Sequence, residues 1–419
     1  MNHTEPTGRT SWAVVLLCAM IVVAEGYDLI VYGTLIPSLL AEPGWGLTKA
    51  TAGTVGSLVY VGMLGGALLS GRLSDRYGRR KLALSSVAWF TVWTAACALA
   101  PGVWQLGAFR LLAGIGIGGV LPCLLALAKE YSPRGRTSLA VTIMMAGVPL
   151  GGTAASLLAL ALLDSHGWRF MFWVGVAVSI VILVLAWRLL PESEQFKAAS
   201  SETTQSRLRD LFARPFIALT ILFACAAFSN LLTWYGLNTW LTTLMRELDY
   251  PLTSALQFSL TLNVGAVFGS FVLAYLGDRF GTRLAALGAS LITAVAIAFT
   301  ATGPTHTIAL LAAIAAMGMG AHSALILISA SVANAYPVEI RATALGWTTG
   351  TGRLGAIMSP WLGGAILSSG ADPTTLFWTF TASALLSAVV LTVLYRIKTP
   401  TSDPAVSQRI QPSMSVRER

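Results

Sequence analysis

The sequence predicts an all-α membrane protein of twelve transmembrane helices. They form two pseudo-symmetric bundles of six, with both termini in the cytoplasm. Three observations predict this. Apolar residues make up 55% of the 419 and charged residues only 11%, where a soluble chain carries about 25% charged. Twelve apolar runs reach spanning length. The lysines and arginines fall almost wholly on one side of those runs, and one basic motif recurs in each half.

The mean hydropathy of +0.71 excludes a disordered chain, a fibrous repeat and a secreted disulfide scaffold. Cys18, Cys97, Cys123 and Cys225 all lie in apolar stretches and read as buried thiols. The net charge of +9 would suggest nucleic acid as the partner of a soluble chain. Here the excess belongs to loops, so the predicted partner is the lipid bilayer of the cell inner membrane and not nucleic acid. The first apolar run holds Glu25 and Asp28 and continues to Leu40, which is too long and too acidic for a cleavable signal peptide.

The runs are 12–40, 51–71, 82–101, 104–128, 138–163, 168–190, 215–245, 254–277, 284–303, 306–333, 342–368 and 374–396. Each reaches the ~20 residues that carry a helix across ~30 Å of hydrocarbon. Within lipid every backbone amide needs an internal partner, so such runs are helices. The short alternating segments of a β-barrel are absent. Segment 1–11 is a cytoplasmic N-terminus, 12–190 the first bundle and 215–396 the second. The polar stretch 191–214 is a cytoplasmic linker. The Pro-, Ser- and Arg-containing tail 397–419 has no apolar periodicity and is expected to be disordered.

Orientation follows from the positive charges. With both ends inside, cytoplasmic segments receive 22 of the 27 lysines and arginines. Outer loops keep Lys49, Arg169 and Arg246, while Arg110 and Arg353 fall inside spans.

After span two the chain reads Gly71-Arg72-Leu73-Ser74-Asp75-Arg76-Tyr77-Gly78-Arg79-Arg80. After span eight it reads Gly277-Asp278-Arg279-Phe280-Gly281-Thr282-Arg283. Asp75 and Asp278 are 203 residues apart. Gly71 suits close helix packing and Gly78 a turn at positive φ. Asp75 can accept from backbone or arginine donors at a neighbouring helix end. Arg76, Arg79, Arg80 and, in the second copy, Arg279 can form ion pairs that break as the halves rock. The plainer reading is a topological anchor. The duplicated six-span layout is that of a secondary transporter.

This string, its second copy and the paired layout resemble the major facilitator superfamily over 12–396. Narrower features resemble its aromatic acid/proton symporters, bacterial importers of benzoate-type acids. These are Glu25-Gly26-Tyr27-Asp28 in span one, Arg110 to Pro122 in span four, Gly352 to Pro360 in span eleven and Pro191-Glu192-Ser193. That family usually has Asp where this chain has Glu25, and Gln where it has His322. The resemblance implies that spans one and four of each half line a central cavity.

A charge at membrane depth costs ~2.5–3.5 kcal/mol on insertion scales and marks water, a partner or a substrate. Glu25 and Asp28, three apart, share a helix face, and Arg110 enters span four at a similar level. Two carboxyls facing an arginine suit a proton site, the alternative being a permanent ion pair fixing spans one and four. Arg353 has no acidic residue among the spans of its own half, so an anionic ligand is its expected partner. The alternative is satisfaction by helix-end carbonyls. His322, Asn230, Tyr27 and Trp240 are candidate substrate contacts. Each also fits ordinary helix packing.

The expected function is proton-coupled uptake of an aromatic carboxylate by alternating access. The proton is the coupling ion, there is no cofactor or metal, and the functional unit is a monomer. The glycine run of span four follows no strand and so is no nucleotide loop. No metal-spaced set or nucleophile elbow points to an enzyme. Another small organic acid, a polyol or drug export are the alternatives within transport. Gly147-Val148-Pro149-Leu150-Gly151-Gly152 is one residue short of a drug-antiporter motif.

Overall fold

The computed structural model describes residues 11–133, 135–193, 208–304 and 306–397. The segment 1–10, most of the linker and the tail from residue 398 lie outside the described residues. All regular structure among the described residues is helical. The first half comprises α1 (Trp12–Leu40), α2 (Lys49–Tyr77), α3 (Arg79–Ala98), α4 (Val103–Glu130), α5 (Thr137–Met145) and α6 (Gly147–Leu189). A single turn, α7 (Leu208–Leu211), precedes the second half. That half comprises α8 (Ile217–Glu247), α9 (Leu252–Phe280), α10 (Thr282–Ala301), α11 (Thr307–Ala335), α12 (Val338–Ser368) and α13 (Thr374–Arg396).

Ten stretches among the described residues are long and apolar enough to cross a membrane. The run Thr137–Leu189 counts once, at 53 residues, although α6 bends at Gly167, where φ is 75° and ψ 173°. The 31-residue α12 is not among the ten. It carries Glu339, Arg341, Arg353 and many Gly, Ser and Thr residues, which dilute its apolar character.

Glycine sets how closely the helices approach. In α4 a Cβ on Gly114 or Gly118 would collide with the main chain of Val59 or Met63 in α2. One on Gly116 would strike Ser86 in α3. The span-four glycine run is therefore a packing face. The second half repeats the device, with Gly318 of α11 against Leu262 of α9 and Gly320 against Ala289 of α10.

The basic motif is more helical than its sequence suggests. Instead of ending near Gly71, α2 runs to Tyr77, because Arg76 in its last turn complements the negative helix end. Gly78 reverses the chain at φ 91° and Gly281, its counterpart 203 residues on, at φ 94°. The Arg76 guanidinium lies over the Tyr77 ring and that of Arg279 over Phe280. Arg79 pairs with Glu130 at 3.2 Å and donates to the Ser193 hydroxyl at 3.1 Å. The Arg80 main-chain N–H donates to Glu192 at 3.0 Å and its side chain to the Trp187 carbonyl. Asp75 is exposed, with no hydrogen-bond or ion-pair partner among the described residues. Gly71, expected to serve close packing, instead faces open space: an added Cβ there would meet no atom within 4 Å. Asp278 is likewise exposed.

The two halves meet toward the end of the bundle that bears the α1–α2 connection. There Lys49 pairs with Glu247, and the Ser156 and Ser259 hydroxyls bond at 3.0 Å. The Ser57 hydroxyl of α2 donates to the Ile357 carbonyl at 2.6 Å and accepts from the Trp361 N–H at 3.1 Å. It thus stands inside a backbone hydrogen bond of α12. A Cβ on Gly53 would strike Pro360, and one on Gly364 would strike Lys49. At the same end Glu42 accepts from Trp168 Nε1 at 2.8 Å and Arg169 at 2.7 Å. The hydrogen bond from Arg169, foremost, holds the Glu42 carboxyl below the usual carboxylate range.

Candidate functional site

Glu25 and Asp28 lie halfway along α1, where α1 and α6 touch main chain to main chain. A Cβ on Gly26 would strike Val148, and one on Gly151 would strike Val23 and Tyr27. The glycines keep α6 against this turn, and both acids are buried.

Asp28 is held by two residues. Thr94 of α3 donates to Oδ1 at 2.9 Å. Arg110 of α4 stands 3.7 Å from Oδ2 and donates to the Asp28 main-chain oxygen at 2.8 Å. The guanidinium also lies over the Tyr32 ring, 5.1 Å from its centre. Asp28 Oδ2 and Arg110 Nε have no hydrogen-bond partner.

Glu25 takes a different partner. Its carboxylate interacts electrostatically with Arg353 of α12, across the two halves. This corrects the expectation that Arg110 faces both acids, and it gives Arg353 an acidic neighbour in the other half, where its own half has none. A count restricted to one half could not see a partner in the other. Arg353 Nη1 also donates to the Met63 carbonyl of α2 at 2.7 Å. Glu25 Oε2 has no hydrogen-bond partner. Two carboxylates thus oppose two guanidiniums, which limits the penalty of burying charge. Arg353 is the most open of the four, at 8% exposure against 1% for Arg110, 1% for Glu25 and 3% for Asp28.

Aromatic rings surround this centre. Tyr60 of α2 and Tyr235 of α8 pack across the halves with ring centres 4.6 Å apart. Tyr235 also interacts with Arg353 and Glu25. Beside it the Trp234 and His322 rings stack at 5.0 Å and 20°.

Three sequence-predicted contacts are engaged in packing. Tyr27 donates its hydroxyl to the Met171 carbonyl at 2.8 Å. Asn230 donates to the Ala321 carbonyl at 3.1 Å, and Trp240 Nε1 to the Pro360 carbonyl at 3.0 Å. Each polar atom satisfies a neighbouring helix, as buried polar groups must. Sequence reasoning missed Thr94, Tyr60 and the Met63 carbonyl. Hydroxyls are common in helices, and a main-chain carbonyl carries no sequence signal at all.

The Major Facilitator Superfamily profile matches residues 18–270 and 260–418, nearly the whole chain. The chain belongs to that superfamily. Among curated superfamily relatives, the gentisate transporter of Corynebacterium glutamicum is 42% identical over 393 residues, covering 92% of this chain and 88% of the relative. The benzoate transport protein of Acinetobacter baylyi is 30% identical, covering 85% of this chain and 84% of its own. A crystal structure of a D-xylose-proton symporter superposes with a TM-score of 0.74 at 17% identity. It covers 91% of this chain and 97% of that one, and supports the superfamily fold.

Proposed function

We propose that this chain is a proton-coupled importer of aromatic carboxylic acids of the benzoate and hydroxybenzoate class. The observation that carries the reading is the buried Asp28–Arg110 pair at 3.7 Å, beside which Glu25 and Arg353 interact electrostatically across the halves. The likeness to gentisate and benzoate transporters supports the substrate class.

In this reading a substrate carboxylate and the Glu25 carboxylate compete for the Arg353 guanidinium. A proton on Glu25 removes its charge and frees Arg353 for the incoming anion. Asp28, backed by Thr94 and Arg110, is the second proton-carrying candidate. With proton and anion both aboard, the centre keeps its charge balance, and the halves can rock without stranding a buried charge.

Twelve crossings fit the fold. At 1.5 Å per residue, the 53 residues of Thr137–Leu189 would run ~80 Å as one helix, far beyond ~30 Å of hydrocarbon. The Gly167 bend supplies the reversal. Adding α12 completes six crossings per half. The bias of basic residues supports cytoplasmic termini, an orientation in which the closed seam between α2 and α12 faces outside. Asp75 and Asp278 with their neighbouring arginines lie on the inner face as gating candidates. No ligand or second chain is needed to complete the four-charge centre, which fits a monomeric unit.

The test is uptake of labelled gentisate, benzoate and para-hydroxybenzoate by the purified protein in proteoliposomes, with and without an inward proton gradient. Accumulation that collapses with a protonophore supports the reading. Gradient-insensitive equilibration, or no uptake of any of the three, overturns it.

A further inference from the structure

His322 is the one candidate contact whose chemistry is left open by its surroundings. Its side chain is fully buried, at 0% exposure. Nε2 lies 3.3 Å from the Met145 main-chain oxygen, in the opposite half. A carbonyl only accepts, so Nε2 carries the proton and Nδ1 presents a lone pair. Nδ1 has no hydrogen-bond partner. The imidazole lies flat against Trp234, so the direction of that lone pair is set by the stack.

The surroundings narrow the ligand. Trp234 packs with Ala266 and Ala321 in a small apolar cluster, and Tyr235 packs against it. Tyr235 in turn interacts with Arg353 and Glu25. The chain of contacts from His322 to the guanidinium expected to hold the carboxylate thus runs through two adjacent aromatic residues, Trp234 and Tyr235. A lone pair repels a carboxylate and cannot bond a bare ring edge. It needs an O–H or N–H donor, of which a hydroxylated aromatic acid offers the O–H, and a buried acceptor without one costs stability. Met145 belongs to the other half, so this contact depends on how the two halves face each other.

We propose that Nδ1 of His322, held in plane by Trp234, accepts a hydrogen bond from a ring hydroxyl of the transported acid and selects hydroxylated over unsubstituted substrates. This rests on the reading of the chain as an aromatic-acid importer. His322 acts as a specificity residue and Trp234 as the residue that positions it.

The test uses the full-length protein in proteoliposomes, with labelled benzoate as the reporter. Ortho-, meta- and para-hydroxybenzoate and their methyl ethers serve as competitors. The readout is the ratio of inhibition constants between the best hydroxybenzoate and its ether. Wild type favours the hydroxyl form. In His322→Phe, which keeps the ring stack, that ratio falls roughly three- to ten-fold whatever the absolute rate of benzoate uptake, as expected for one lost hydrogen bond. His322→Asn, whose amide oxygen can occupy the Nδ1 position, keeps the preference. His322→Gln, whose amide replaces Nε2, loses it. If the Phe variant fails to fold, the Asn and Gln pair decides. An unchanged ratio in His322→Phe, or a preference kept by Gln and lost by Asn, overturns the proposal while leaving aromatic-acid transport standing. No benzoate uptake by wild type overturns the transport reading and this proposal with it.

Discussion

The Ser57 hydroxyl of α2 donates to the main-chain oxygen of Ile357 in α12 at 2.6 Å and accepts the Trp361 N–H at 3.1 Å. A side chain of one half thus replaces a helical hydrogen bond of the other. When the halves separate at this end, Ile357 and Trp361 can bond each other, so neither state strands a backbone group. Ser57→Ala should favour separation by about 0.5–1.5 kcal/mol, one hydrogen bond's net worth. Labelling of a cysteine placed at the seam, with and without substrate, checks this. Unchanged labelling rates would remove Ser57 from the latch.

Arg353 should be the main carboxylate anchor, being the most exposed of the four central charges. Arg353→Lys keeps the charge and loses the planar fork, and should weaken benzoate binding by about 1–3 kcal/mol. Arg353→Ala should cost more. Wild type should discriminate strongly against benzamide, and Arg353→Ala much less. Equal acid-to-amide ratios in the two proteins would make Arg353 structural and move the anchor to Arg110.

Asp28→Asn should abolish gradient-driven accumulation, because an amide cannot cycle a proton. The fold should survive, since Arg110 still donates to the residue-28 main-chain oxygen and still lies over Tyr32. Substrate exchange across the membrane should therefore persist. Full accumulation by a well-expressed variant excludes Asp28 from coupling.

The paired turns give a matched stability test. Gly281→Ala should cost about 1–2 kcal/mol, from positive φ alone, since nothing lies within 4 Å of an added Cβ. Gly78→Ala carries the same strain and also drives a Cβ to 2.6 Å from Glu192 Oε2. Glu192 holds the N–H groups of Arg80 and Ser193, so the loss should be larger by about 1–3 kcal/mol. Melting temperatures in detergent compare the two, and equal losses would show that Glu192 yields freely.

Glu42 supplies a pH dependence. Arg169 holds its carboxyl below the usual range. A lowered folded-state pKa means that the contribution is complete above the ordinary glutamate range and is lost as pH falls through the lowered value. The pair is partly exposed, so the effect is small, on the order of 1–2 °C in melting temperature. Wild type should lose this increment on acidification. Glu42→Gln should lack it at neutral pH and lose nothing further by this route.

Much of the architecture was legible because the bilayer restricts the choices. Apolar runs of fixed length can only be helices there, and the copy of the Asp75 motif at Asp278 displayed the duplication. The pairing of Asp28 with Arg110 was legible from depth alone. The electrostatic link between Glu25 and Arg353 was not, because it depends on how two separately folded halves face each other, and no local pattern encodes that. Tyr27, Asn230 and Trp240 looked like ligand contacts because their residue types suit both roles. Only the Met171, Ala321 and Pro360 carbonyls reveal which role each polar atom takes here. His322 differs from them in a single free nitrogen, a distinction below the reach of sequence.

The seam of α2 and α12 is built where Gly53 and Gly364 let main chains touch, with no side chain between them. Such a contact leaves no room for water at these two points. In a proton-coupled carrier it would work as electrical insulation, so that the ion gradient drives carried cargo and does not run down through the closed carrier. A larger residue at either glycine would be felt first as leak current, in a protein that still folds and still binds.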